Sequence, residues 1–125
     1  MTQVGDSPLD AYRERREHEA SRRVGKQTVP KELRDQLRGE SCRVCSARPV
    51  EIHHVVPRAR FGRRDPSVND PANLVPICHR CHQNHHTTAD HRIPRSALTD
   101  TEVAFAVDHA GPAWVTLWYP VDRHG

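Results

Sequence analysis

Four cysteines stand in two pairs, Cys42-Arg-Val-Cys45 and Cys78-His-Arg-Cys81, with 32 residues between them. Each pair can grip one face of a tetrahedral ion, and four thiolates complete a structural zinc site with bonds of about 2.3 Å. A site closed in this way has no open position at which to activate water, so it contributes folding energy and no chemistry. The alternatives are a redox pair, for which the usual βαβ context is missing, or four unrelated buried thiols. A second constellation lies inside the first: Glu51-Ile-His53-His54-Val-Val-Pro57, then Asn73-Leu-Val-Pro-Ile77, then Cys81-His82-Gln-Asn-His85-His86. On a helix, His82 and His86 are one turn apart, project from one face and can share a cation, which then needs a third ligand from elsewhere. His53 and His54 are neighbours on a strand and point to opposite sides, so one can bind the metal while the other serves as a base. His85, three residues from His82, is a substitute or assistant for His86. His79 packs or is solvated at the helix start, and His18, His91, His109 and His124 read as ordinary surface or core residues.

These side chains need elements to hold them. Pro30, the i,i+4 pair Leu33 and Leu37, and Gly39 outline a short helix leading to Cys42. Residues 50–56 read as a strand ended by Pro57, residues 58–71 as a long loop full of breakers, and residues 73–77 as a second strand. Helical text runs from Cys78 or His79 to about Ala89. Thr99 and Glu102 have capping-box spacing ahead of an apolar run that Gly111-Pro112 stops. Residues 114–119 read as a final strand that carries Trp114 and Trp118 on one face. Upstream, Leu9–Val24 is rich in helix formers but almost lacks an apolar stripe, and residues 1–8 read as a polar leader.

The whole chain has 125 residues, 35% hydrophobic and 28% charged, enough for one small core that benefits from a metal clip. No run of about 20 apolar residues is present to span a membrane, and the N-terminus lacks a secretory pattern, so a cytoplasmic location without a membrane is expected. The net charge of +3 conceals an asymmetry: residues 41–95 carry nine basic against four acidic side chains, residues 96–125 one against four. A basic first two-thirds suits a polyanionic partner.

Taken in order, C-x2-C, His-His-x-x-Pro, Asn-Leu and C-x2-C-His-x3-His resemble the HNH nuclease family in its zinc-knuckle form, over the stretch from Cys42 to His86. The resemblance implies an α+β fold, a small single domain with a ββα-metal hairpin-plus-helix core, a structural zinc and flanking helices. Residues 41–90 would form that core, 1–40 a basic N-terminal helical extension and 91–125 a C-terminal helix-strand extension. By position, it implies that His54 is the general base, that Asn73 fixes the loop or the ring of His54, and that His82 is a metal ligand. His53 stands where many members have Asp as a ligand, and His86 matches the further helical ligand of members with an all-His site. The implied activity is metal-dependent DNA endonuclease, with His54 taking a proton from water and one divalent cation binding the phosphate oxygen and the leaving 3′ oxygen. Double-stranded DNA is the expected substrate, a homodimer is one way to cut both strands, and a phage- or mobile-element-type nicking or general nuclease is the role the resemblance favours.

Three imidazoles suit Mn2+, Co2+, Ni2+ or Zn2+ better than Mg2+, which prefers oxygen ligands. Arg58, Arg60, Arg63 and Arg64, on the loop after the base, are placed to bind flanking phosphates in the nucleic acid. A rival reading from another class is a non-catalytic zinc-ribbon DNA-binding module in which the histidines are incidental. The rival binds one ion and the nuclease two.

Overall fold

In the computed structural model residues 28–122 are described; the helix expected at Leu9–Val24, His18 and His124 lie outside them. The described chain is a small α+β unit. Helix α1 (Lys31–Arg38) precedes a hairpin of β1 (Val50–His54) and β2 (Leu74–Cys78), and α2 (His79–Thr87) follows at once. Three short 3₁₀ turns punctuate the long connection between the strands, and two more lead from α2 to α3 (Asp100–Ala110) and α4 (Pro112–Trp118). Among the described residues no helix is long and apolar enough to cross a membrane.

Helix α1 starts directly after Pro30 and ends at Gly39, whose N–H closes on the carbonyls of Asp35 and Gln36. The strands pair antiparallel with His53 opposite Val75 and His54 opposite Leu74. Pro76 sits in β2 without an N–H to offer, on an edge where its carbonyl instead accepts from the backbone N–H of Arg43 in the first cysteine turn. β1 is shorter than the sequence suggests: beyond His54 one backbone bond remains, from Val55 N–H to the Asn73 carbonyl at 2.9 Å, and the Asn73 side chain then takes over. Its Oδ1 accepts from Val56 N–H at 2.7 Å while its Nδ2 donates to the carbonyls of Val56 and Val68. A fully buried amide thus satisfies by side chain the backbone groups of Val56 and Val68 that the ladder does not reach.

The core runs from the hairpin into the C-terminal helices: Val55, Val56, Val75 and Ile77 pack with Ile93, Ala106, Val115 and Tyr119. Each of the buried valines and isoleucines contributes roughly 1.5–3 kcal/mol of apolar burial. α3 begins with the anticipated capping box, Thr99 and Glu102 exchanging side-chain bonds with each other's backbone N–H. Glu102 also takes Arg43 in a two-pronged ion pair at 2.9 and 3.0 Å, and this ties the cysteine turn to α3.

The expected strand over residues 114–119 is a helix. Gly111, at a φ of 92°, ends α3 and turns the chain so that Pro112 enters the first turn of α4. Aromatic and β-branched residues favour strands on average, but Trp114, Val115, Trp118 and Tyr119 are spaced as one helical stripe, and packing against the hairpin decides. Trp114 and Trp118 stack at 6.1 Å along that stripe.

Candidate metal and hydrolytic site

The two cysteine pairs meet as their spacing predicts. Sγ atoms of Cys42, Cys45, Cys78 and Cys81 lie within 4.8 Å of one another, with Cys45 and Cys78 at 3.6 Å. A tetrahedral ion with bonds of about 2.3 Å separates its ligands by about 3.8 Å, so the sulfurs fit zinc. Burial works against the Cys42 thiolate, yet backbone N–H groups of Cys78, Cys45 and Val44 bring its pKa down to about 6. Burial, and then the neighbouring sulfurs, push the Cys81 thiol up. Four thiols at this density resist ionising together unless a cation neutralises them.

A second group gathers on the face of β1 that meets α2. His53 from the strand and His82 and His86 from the helix bring ligand atoms within 4.8 Å of one another. Ring centroids stand 5.0 Å apart for His53 and His82 and 4.9 Å for His82 and His86. The hydrogen bonds around them set the tautomers. Glu51, two residues before His53 and therefore on the same strand face, accepts the Nδ1 proton of His82 at 2.7 Å, leaving Nε2 of His82 with its lone pair. The same carboxylate accepts from His79 at 2.8 Å. These two bonds, His82 first, hold the Glu51 carboxyl below its ordinary value. His53 is 1% exposed, and its Nδ1 is buried without a hydrogen-bond partner. A buried nitrogen with a free lone pair, facing a set of imidazoles, has the chemistry of a metal ligand.

His85 does not belong to this set. Its Nδ1 accepts the backbone N–H of Ile93 at 2.9 Å, which puts the ring proton on Nε2. It is packed against Tyr119 with ring centroids 4.9 Å apart, and burial, then His86, Arg92 and His82, push its pKa down to about 3. Burial similarly holds His53 well below 6.5, with the surrounding histidines adding to it.

His54 lies on the other side of β1, as strand alternation requires. Its Nε2 donates to Asn69 Oδ1 at 2.9 Å, so the neutral ring keeps its lone pair on Nδ1. Burial lowers its pKa, the Asn69 bond opposes that, and the charge of Arg58 and the nearby His82 add to the lowering. A cleft of about 580 Å³ opens beside it, lined by Arg34 and Arg38 of α1, by Arg58, and by Glu51, His54 and His82.

The four loop arginines do not converge. Arg58 reaches that cleft, Arg60 lies over the Trp114 ring at 5.2 Å, and Arg63 and Arg64 are exposed farther along the loop. Asn73 bonds to the backbone of Val56 and Val68 and to no ring, so of its two expected tasks it has the loop. Asn69, not Asn73, is the amide bonded to the His54 ring. Glu51, Asn69, Arg34 and Arg38 were not singled out by sequence reasoning. Only Glu51 left a signal, its i,i+2 placement with His53.

Residues 42–88 match the family model described as HNH endonuclease. No curated protein and no solved structure matches the chain. Members of that family act on DNA and use a divalent metal ion, and the match supports a nuclease-type function for this segment in general terms.

Proposed function

We propose that this chain, whose residues 42–88 match the HNH endonuclease family model, is a metal-dependent DNA endonuclease with His54 as its base. The observation that carries the reading is the division of β1. One side presents three imidazoles that can share an ion, and the next residue presents a neutral, held imidazole at the edge of a basic cleft.

His54 takes a proton at Nδ1 from a water directed at the phosphorus, since its Nε2 proton is engaged by Asn69. Asn73 clamps the turn that follows, fixing where the base stands. His53, His82 and His86 would hold the cation, with Glu51 orienting His82. When bound, the ion would supply positive charge to offset the negative charge that develops at the phosphate during hydrolysis. Arg34, Arg38 and Arg58 bind backbone phosphates on either side of the bond that is cut, which favours duplex DNA of any sequence. The products carry 5′-phosphate and 3′-hydroxyl ends. The imidazole set favours Mn2+, Co2+, Ni2+ or Zn2+ over Mg2+, and the four cysteines would hold a structural Zn2+. In the cell the role is that of a phage- or mobile-element-type nicking or general nuclease.

Metal content and cleavage together test this. Zinc-loaded protein should bind a second equivalent of Mn2+ or Co2+ and convert supercoiled plasmid to nicked or linear DNA. One ion per chain and intact plasmid with every metal would replace this reading with the zinc-ribbon DNA-binding module.

A further inference from the structure

The hydroxyl of Tyr119 makes two polar contacts that neither the cysteine clip nor the hydrolytic residues explain. Tyr119 follows α4, outside the segment that matches the family model, and is fully buried. Its hydroxyl donates to the backbone carbonyl of Val55 at 2.6 Å. That oxygen cannot donate in return, so the single hydroxyl proton is committed. The same hydroxyl lies 2.7 Å from Nε2 of His53, and with its proton spent it can only accept there. The Nε2 proton of His53 is thereby fixed, and the lone pair is left on Nδ1, the buried atom without a partner.

We propose that Tyr119 is a positioning residue for the metal site: the Val55 carbonyl, through the Tyr119 hydroxyl, holds His53 in the tautomer whose Nδ1 can bind a cation. The inference rests on the metal-site reading above. It gives the C-terminal helices a function beyond packing, because a residue 66 positions from His53 decides which nitrogen of that ring is free. The arrangement parallels the one at His82, where Glu51 accepts the proton of the nitrogen that does not bind. One ligand is thus held by a carboxylate at the rim and the other by a neutral hydroxyl in the core.

Two measurements on the full, zinc-loaded chain test it. In wild-type protein, 15N chemical shifts of the His53 ring should report protonation at Nε2 and a bare Nδ1. Protonation at Nδ1 would overturn the proposal, and since no substitution is involved, this result does not depend on any variant folding. In Tyr119→Phe, which removes only the hydroxyl, cobalt titration should show the second site weakened about 10- to 100-fold. Zinc content and circular dichroism should be retained, and the absence of a new thiolate charge-transfer band shows that the cobalt is not displacing zinc. Unchanged cobalt affinity in a folded Tyr119→Phe would overturn the role of Tyr119 while leaving the metal site intact. A wild-type chain that takes up no second cobalt ion would overturn the metal site itself and this inference with it.

Discussion

Asn69 Oδ1 and His54 Nε2 are 2.9 Å apart, and that bond decides which nitrogen of the ring can accept a proton. In Asn69→Ala the His54 ring loses both its partner and its fixed orientation. A positioned base is worth about 100- to 10,000-fold, and losing its orientation should forfeit part of that, about 10- to 100-fold in kcat with KM little changed. Plasmid-nicking kinetics check this. A fall confined to KM would place Asn69 in DNA binding instead.

The pH dependence of cleavage follows from the surroundings of His54. Burial, Arg58 and His82 lower its pKa against the opposing Asn69 bond. A base acts when neutral, so the rate should rise with pH through a midpoint below about 6.5, the ordinary histidine value, and be level above it. Measured kcat/KM with the metal saturating reads that midpoint. An inflection above the ordinary value would contradict the assignment.

Stability should depend on pH in the same region for a different reason. His53 and His85 remain neutral in the folded chain, His85 with a pKa pushed down to about 3, whereas in the unfolded chain both take up protons near the ordinary value. Their contribution to stability is therefore present above about pH 6.5 and is lost progressively as pH falls below it, by up to about 1.4 kcal/mol per group for each pH unit. Urea midpoints recorded from about pH 7 to about pH 5 with zinc in excess should fall. His85→Asn, whose amide oxygen can still accept from Ile93, should fall less steeply. Equal slopes would refute this origin.

Arg43 and Glu102 connect the cysteine turn to α3 through a buried carboxylate. Arg43→Ala leaves Glu102 without its partner in a site only 5% exposed, at a cost of about 2 kcal/mol. The denaturation midpoint should drop correspondingly. Glu102→Gln added to it removes the unpaired charge while an amide oxygen can still accept from Thr99 N–H, and should restore part of the loss.

What the sequence revealed and what it concealed divide along contact range. The cysteine pairs, the His82 and His86 turn of helix and the alternation of His53 with His54 are local patterns, and local geometry fixes them. The capping box at Thr99 and the stop at Gly111 were legible for the same reason. Residues 114–119 are the exception among local patterns, since their aromatic and β-branched content favours a strand while the spacing of Trp114, Val115, Trp118 and Tyr119 suits the helix that packing selects. Asn69 is held on its loop by two Asx turns, in which Asp65 accepts from Ser67 N–H and Asp70 from Ala72 N–H. Nothing in that text says that the loop returns to His54. Tyr119 is farther still, and its partnership with His53 exists only once α4 has packed on the hairpin.

The proposed role of His54 is the base of a metal-dependent phosphodiester hydrolysis. Zinc-loaded wild-type protein and His54→Ala should be compared on supercoiled plasmid with Mn2+, Co2+, Ni2+, Zn2+ and Mg2+ in turn, after zinc content and circular dichroism have shown the variant folded. The expected result is conversion to nicked or linear DNA by the wild type, best with a metal other than Mg2+, and a loss of at least about 100-fold in the variant. Equal cleavage by the two proteins would contradict the account.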